Sequence, residues 1–325
     1  MKIELTKKLT GILALFLAIN LCAFGQTREE AVETYNSALD LIDDDIKAAI
    51  EKMEKALEMA EELGQEGMEV KEMVEVQLPG LYYDMSIDMY RGDDMDGAIE
   101  GFERAIELAE EYGDPDTKKE SENVLHQLYF RKGNNLFREE QNEEALDYFD
   151  RSLEINPEFA RAHLGKGLVF RRLQDTDNFR EAINSAIEYG NQAGDQDLVS
   201  TANRTARDYF VAHGARARSD DNFDRALSLL EESVEYDSNF PEAYHLMASI
   251  HNEQENWTQA VENAERAIEA SDESAEEKAR YYFELGKAYM ELGNESAACS
   301  AFENAAYGDY EESANYHIDH VLNCP

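Results

Sequence analysis

In residues 143–167, EEALDYFDRSLEINPEFARAHLGKG, the small residues Ala145 and Ser152 flank the ring of Phe149 at helical spacing, with charged side chains between them. Positions i, i+4 and i+7 share one helix face, so the stretch predicts a helix with a narrow apolar seam. Pro157 ends it, because a proline lacks the N–H that would continue the ladder. Upstream, LYFRKGNNLFREEQNEEA sets Tyr129, Gly133, Leu136 and Phe137 on a helix of its own before a polar turn. Two helices packed back to back are predicted: Gly133, Ala145 and Ser152 let the backbones approach, and Phe149 fills the adjoining space.

The punctuation recurs. DRALSLLEESVEYDSNFPEAYHLMA repeats it around Ala226 and TQAVENAERAIEASDES around Ala260, and the same frame fits Ala49, Ala98, Ala182 and Ala298. The interval is 34 residues from Ala226 to Ala260, 38 from Ala260 to Ala298, and 47 and 49 near the N-terminus, where the helices carry extra turns. The insertion DTDNFRE leaves the register around Ala182 open. Each helix pair has apolar side chains on both sides, so no pair buries its core alone and stacking is what stabilises it. The predicted pairs span roughly 28–62, 68–112, 117–158, 160–191, 197–240, 241–274 and 276–308. A terminal helix, 310–324, covers the last face with Ala314, Ile318, Val321 and Leu322.

In ARYYFELGKAYMELGNESAACSAFENAA, residues Tyr282, Leu285, Gly286, Tyr289, Gly293, Ala298, Phe302 and Ala305 resemble the pattern of tetratricopeptide-repeat proteins. The resemblance implies an all-α chain, a right-handed superhelical solenoid of about seven helix-turn-helix repeats with a C-terminal capping helix. It further implies a concave groove lined by the first helix of each pair. Asn134, Arg138, Arg161, Leu168, Arg172 and Arg218 are the positions expected to face that groove and a partner. Some family members hold a partner's C-terminal carboxylate with a lysine and an asparagine four apart. Asn134 fits that pattern, but Phe130 stands in the lysine's place.

The N-terminus breaks from this pattern. Lys2, Lys7 and Lys8 precede an apolar run from Leu9 to Leu21 and then LCAFGQ, which reads as a signal peptide over residues 1–25 with the mature chain, 26–325, forming one solenoid. A retained anchor is the alternative, although the run is short of the ~20 residues that span a bilayer. Cys22 raises lipidation as another, against which stands the bulky Leu21. The expectation is a periplasmic or secreted protein, with outer-membrane association as the alternative and no membrane insertion after cleavage. The AFGQ site resembles those of envelope proteins of Bacteroidetes-type bacteria.

Charge then narrows the partners. The full chain carries −41, and loss of residues 1–25 leaves −43. Nucleic acid is excluded, since binding phosphates needs clustered cations. Residues 126–225 hold 14 Lys and Arg against 18 Asp and Glu, so the basic groups concentrate centrally. After cleavage Cys299 and Cys324 remain, and export favours one disulfide pinning the terminal helix, with free or metal-binding thiols as the alternative.

His317 and His320 share a helix face with Cys324 one turn on, but a polar cap helix is the stronger reading than zinc. DDD at 43–45 and DDMD at 93–96 fall in turns, as solvated residues rather than calcium ligands. No phosphate loop, serine elbow or metalloprotease motif occurs. The expectation is therefore a non-catalytic scaffold with no cofactor, binding an unidentified protein or peptide. An accessory subunit or an enzyme acting on envelope polymers is the alternative.

Overall fold

The computed structural model describes residues 27–325. The expected signal peptide, residues 1–25, and the cleavage before Gln26 lie outside the described residues. Among the described residues there are fifteen α-helices and no strand. They run as hairpins: α1 Arg28–Leu39 with α2 Ile46–Leu63, α3 Met68–Arg91 with α4 Met95–Tyr112, and α5 Pro115–Arg138 with α6 Asn142–Ile155. Then follow α7 Ala160–Leu173 with α8 Thr176–Ala193, α9 Gln196–Ser219 with α10 Phe223–Tyr236, α11 Pro241–Glu253 with α12 Trp257–Ala270, and α13 Ala275–Glu291 with α14 Glu295–Ala305. Helix α15, Glu311–Tyr316, continues into a π-helical turn, His317–Leu322.

Six of the seven hairpins form because their turns stop one helix and start the next within three residues, whereas α1 and α2 are joined by residues 40–45. Asp93, Glu140, Gln174, Asp221, Glu255 and Gly293 each take a positive φ between 57° and 73°, which breaks the first helix. The second helix is then capped by a short polar side chain. Asp45, Asp94, Asp175, Asn222 and Asn294 each accept a hydrogen bond from the backbone N–H three residues on. The acidic runs at 43–45 and 93–96 lie at these turns, and one member of each run is the cap.

The chain divides into two compact units, one comprising residues up to Arg138 with Asp150–Pro157, the other Glu139–Phe149 with Glu158–Pro325. In the first unit, Ala49, Ala98 and Phe102 are fully buried, and Phe102 meets Tyr83 edge-on at 5.6 Å between centroids. Ser152, also buried, donates to the carbonyl of His126 at 2.7 Å. Beside it the Arg151 guanidinium lies 4.2 Å over the Tyr129 ring and pairs with Glu103.

In the second unit, glycines on first helices let rings and branched chains sit against the backbone. A Cβ on Gly165 would meet Phe149 at 2.7 Å, and one on Gly286 would meet Phe302 at 2.9 Å. Around Ala182 the register is three residues earlier than the small-residue frame suggests. In α2, α4, α6, α10, α12 and α14 the small residue stands three positions into the helix, whereas in α8 that position is Phe179. It is fully buried, 4.1 Å from Tyr209 and 5.8 Å from Phe210 between centroids, while Ala182 is buried one turn later. The ring that other pairs place later in the helix is here at its start.

The terminal helix buries Ala314 against Ala298, Phe302 and Ala305, with Ile318 and Leu322 packed beside them. Val321, expected on this seam, is instead exposed. The helix widens to a π-turn at His317, which rotates Val321 away while Ile318 and Leu322 stay inward. Cys299 and Cys324 are bridged, their Cα atoms 5.8 Å apart.

Candidate partner-binding face

In the second unit each first helix packs on the second helix of its own pair and also on the next first helix, α7 on α9, α9 on α11 and α11 on α13. Among the described residues of this unit the backbones of the second helices do not approach one another in this way, and they meet through side chains, as where Arg180 of α8 pairs with Glu232 of α10 and Tyr236 donates to Asn184 at 2.9 Å. The first helices therefore form a continuous layer, and side chains pointing away from the second helices line one shared face. The first unit repeats this, α1 on α3 and α3 on α5.

Hydrogen bonds run between α9 and α11 and between α11 and α13 across this layer. Arg218 of α9 donates to Ser249 of α11 at 2.8 Å and pairs with Glu253 of the same helix. Asn252 of α11, itself buried, donates to the Glu284 carbonyl at 3.0 Å and to its carboxylate at 2.6 Å, and Lys287 meets that carboxylate at 3.0 Å. Arg280 of α13 bridges Glu242 of α11 and Glu273, each at 3.0 Å. Desolvation pushes the Tyr281 hydroxyl up, and its 2.9 Å hydrogen bond to Glu273 adds to the effect. His245 stands among these groups at 5.4 Å from the Tyr281 ring. Burial holds it below the ordinary histidine value, against the pull of Glu242 and Glu284 and with that of Arg280 and Arg218.

The residues expected from sequence to face a partner distribute over both units. Asn134, half-buried, and Arg138, exposed, lie on α5 in the first unit, with Arg138 donating to Asn135 at 3.2 Å. Arg161, Leu168, Arg172 and Arg218 lie in the second. Arg161 meets Asp195 at 3.3 Å and its side chain stays 62% exposed, Arg172 donates to Asn142 at 3.2 Å, and Leu168 is half-buried. In the second unit Arg161, Arg172 and Arg218 are each held by a partner outside their own helix, whereas the partner of Arg138 is on its own helix. Sequence reasoning missed Glu242, Ser249, Asn252, Arg280, Glu284 and Lys287. A signal existed: Arg218 and Asn252 stand 34 apart, and Glu242 and Arg280, like Ser249 and Lys287, stand 38 apart, the repeat intervals themselves. His317, weighed for zinc, stacks on Phe302 at 4.5 Å, and Cys324 is in the disulfide. Among the described residues, no three histidine, cysteine or acidic side chains come together as a metal site would require.

The paired helices, the glycine-and-ring seams and the continuous first-helix layer define a helical repeat protein. The tetratricopeptide-repeat family model matches residues 130–197 and 245–315, so the chain carries tetratricopeptide repeats. No curated protein matches it. Among solved structures it is similar to YrrB, described as a TPR protein with an unusual peptide-binding site, at 20% identity over 69% of this chain and 96% of that one, TM-score 0.32. It is also similar to the TPR2AB domain of yeast Sti1 in complex with pHSP90, at 14% identity over 91% and 98%, TM-score 0.32. A third is PilW, described as a widely conserved type IV pilus biogenesis factor, at 17% identity over 74% and 99%, TM-score 0.31. No helix of the described residues is long and apolar enough to cross a membrane.

Proposed function

We propose that the chain is a non-catalytic protein–protein interaction scaffold of the cell envelope, holding an extended peptide or a partner helix on its first-helix face. The observation that carries this reading is the contact of successive first helices, which leaves Arg161, Arg218, Glu253, Arg280 and Lys287 partly exposed on one layer of the second unit. Such a face offers donors and acceptors at regular intervals, the form in which an extended segment or an amphipathic helix is recognised. The leader-like N-terminus and the disulfide support an oxidising compartment.

Charged hydrogen bonds in a partly shielded face contribute about 1.5–3 kcal/mol, against under about 1 for exposed pairs. Replacing Arg138, Arg161 and Arg172 by alanine is expected to weaken capture of the partner at least about tenfold, since about 1.4 kcal/mol is one decade. The helical signal should be unchanged, and Glu143→Ala with Glu144→Ala should do little. Equal losses from both sets would assign the effect to bulk charge.

A further inference from the structure

We propose that the second unit also carries an oxyanion site, at the hairpin edge and not on the first-helix face, in a cavity of about 340 Å³ lined by Gln174, Thr176, His213, Arg216, Asn222 and Arg225. The cavity opens where the end of α9 and the start of α10 meet the start of α8.

Its two arginines differ from most arginines of the unit in lacking a carboxylate, a state they share with Arg171 and Arg204. In the same unit Arg161, Arg180, Arg207, Arg218 and Arg280 each hold a carboxylate. Arg216 and Arg225 hold none among the described residues, although the protein carries −41. Both face His213, which burial and then these two guanidinium charges keep below the ordinary histidine value. The imidazole is positioned by a tilted contact with the Tyr209 ring, 4.2 Å between centroids, and the Tyr209 hydroxyl meets that of Thr176 at 2.8 Å. The first turn of α10 opens on the same space, with Asn222 accepting from the Arg225 N–H at 3.3 Å, so a helix N-terminus adds its partial positive charge. One carboxylate, Asp220, also lines the cavity and opposes an anion there.

Three cation-capable groups against one carboxylate select a compact oxyanion: a sulfate or phosphate ion, or the carboxylate or phosphoryl end of a partner's side chain. The volume admits such a group with its waters, and the overall charge repels a polyanion. A bound oxyanion offsets the two arginine charges, so His213 should take up a proton more readily when the site is filled.

The test is NMR titration of the His213 imidazole in the full chain, assigned by its loss in H213Q, with inorganic sulfate added against chloride at equal ionic strength. Sulfate is expected to saturate and to raise the proton affinity of His213 about tenfold, as expected for a nearby opposite charge. R216Q/R225Q should abolish the response, while D220N should strengthen sulfate binding several-fold. A sulfate response no larger than that of chloride, or one retained in R216Q/R225Q, overturns the site. Acetate separates the sources: an equal response to acetate points to a carboxylate-bearing partner, and a response to sulfate alone to a tetrahedral oxyanion.

Discussion

At the scale of single residues, the glycines show how one atom decides packing. A Cβ on Gly286 would press on Phe302 at 2.9 Å, a buried ring with no room to retreat. Gly286→Ala is expected to cost about 1–3 kcal/mol through overpacking. Gly80, inside α3, has nothing within 4 Å of the same added atom. Gly80→Ala should instead stabilise by about 0.5–1 kcal/mol, by removing backbone freedom from the unfolded chain. Urea midpoints of the two variants should move in opposite directions.

The histidines set the response to pH. His213, His245, His251 and His317 all sit below the ordinary value of 6.5, in each case first because burial disfavours the charged ring. The folded chain therefore binds fewer protons than the unfolded one. This contribution to stability is fully present above about pH 6.5 and is lost as pH falls from there through the depressed folded values. Tm should fall on acidification from pH 7.5 to 5, and less steeply in H245Q. A Tm constant over that range in the parent chain would show that these rings are solvated.

At the scale of elements, much was legible. Ala145, Ala226, Ala260 and Ala298 stand three residues into their helices and are fully buried, because a small residue where two helices approach closely is a steric requirement that sequence displays directly. Phe179 was not legible, since the insertion before it moved the helix start while Ala182 imitated the expected frame. Nor was Val321, whose place depends on a π-turn that apolar spacing does not encode. The polar ladder from Arg218 to Lys287 escaped for another reason: which carboxylate an arginine meets depends on distances between helices, and sequence periodicity fixes only the face.

The terminal element depends on its crosslink. The Cys299–Cys324 bridge closes a separation of 25 residues and holds the cap over Ala298 and Phe302. In the chain-entropy model a loop of this size stabilises by about 3 kcal/mol. Reduction, or Cys299→Ser with Cys324→Ser, should lower the urea midpoint accordingly. In the native protein without reductant, Cys299 and Cys324 should give no titratable thiol, and finding both reactive would remove the bridge from the account.

At the scale of the whole molecule, two compact units are built by one rule, in which helix pairs cannot bury both faces alone and stacking supplies the core. The rule leaves the first-helix layer of each unit with exposed polar groups, whereas the strong negative charge outside the central region keeps the rest solvated and repels acidic surfaces. The central claim is that partners are held on the first-helix layer. The most direct test places a photo-crosslinking residue singly at Arg161, Arg172, Arg218 or Lys287 on first helices, and at Glu188, Glu231, Glu262 or Glu303 on second helices, in the full chain expressed in its own cells. The account predicts that one partner is crosslinked in stoichiometric yield from the first-helix positions and not from the second-helix ones; equal crosslinking from both sets, or crosslinking from the second helices alone, would contradict it.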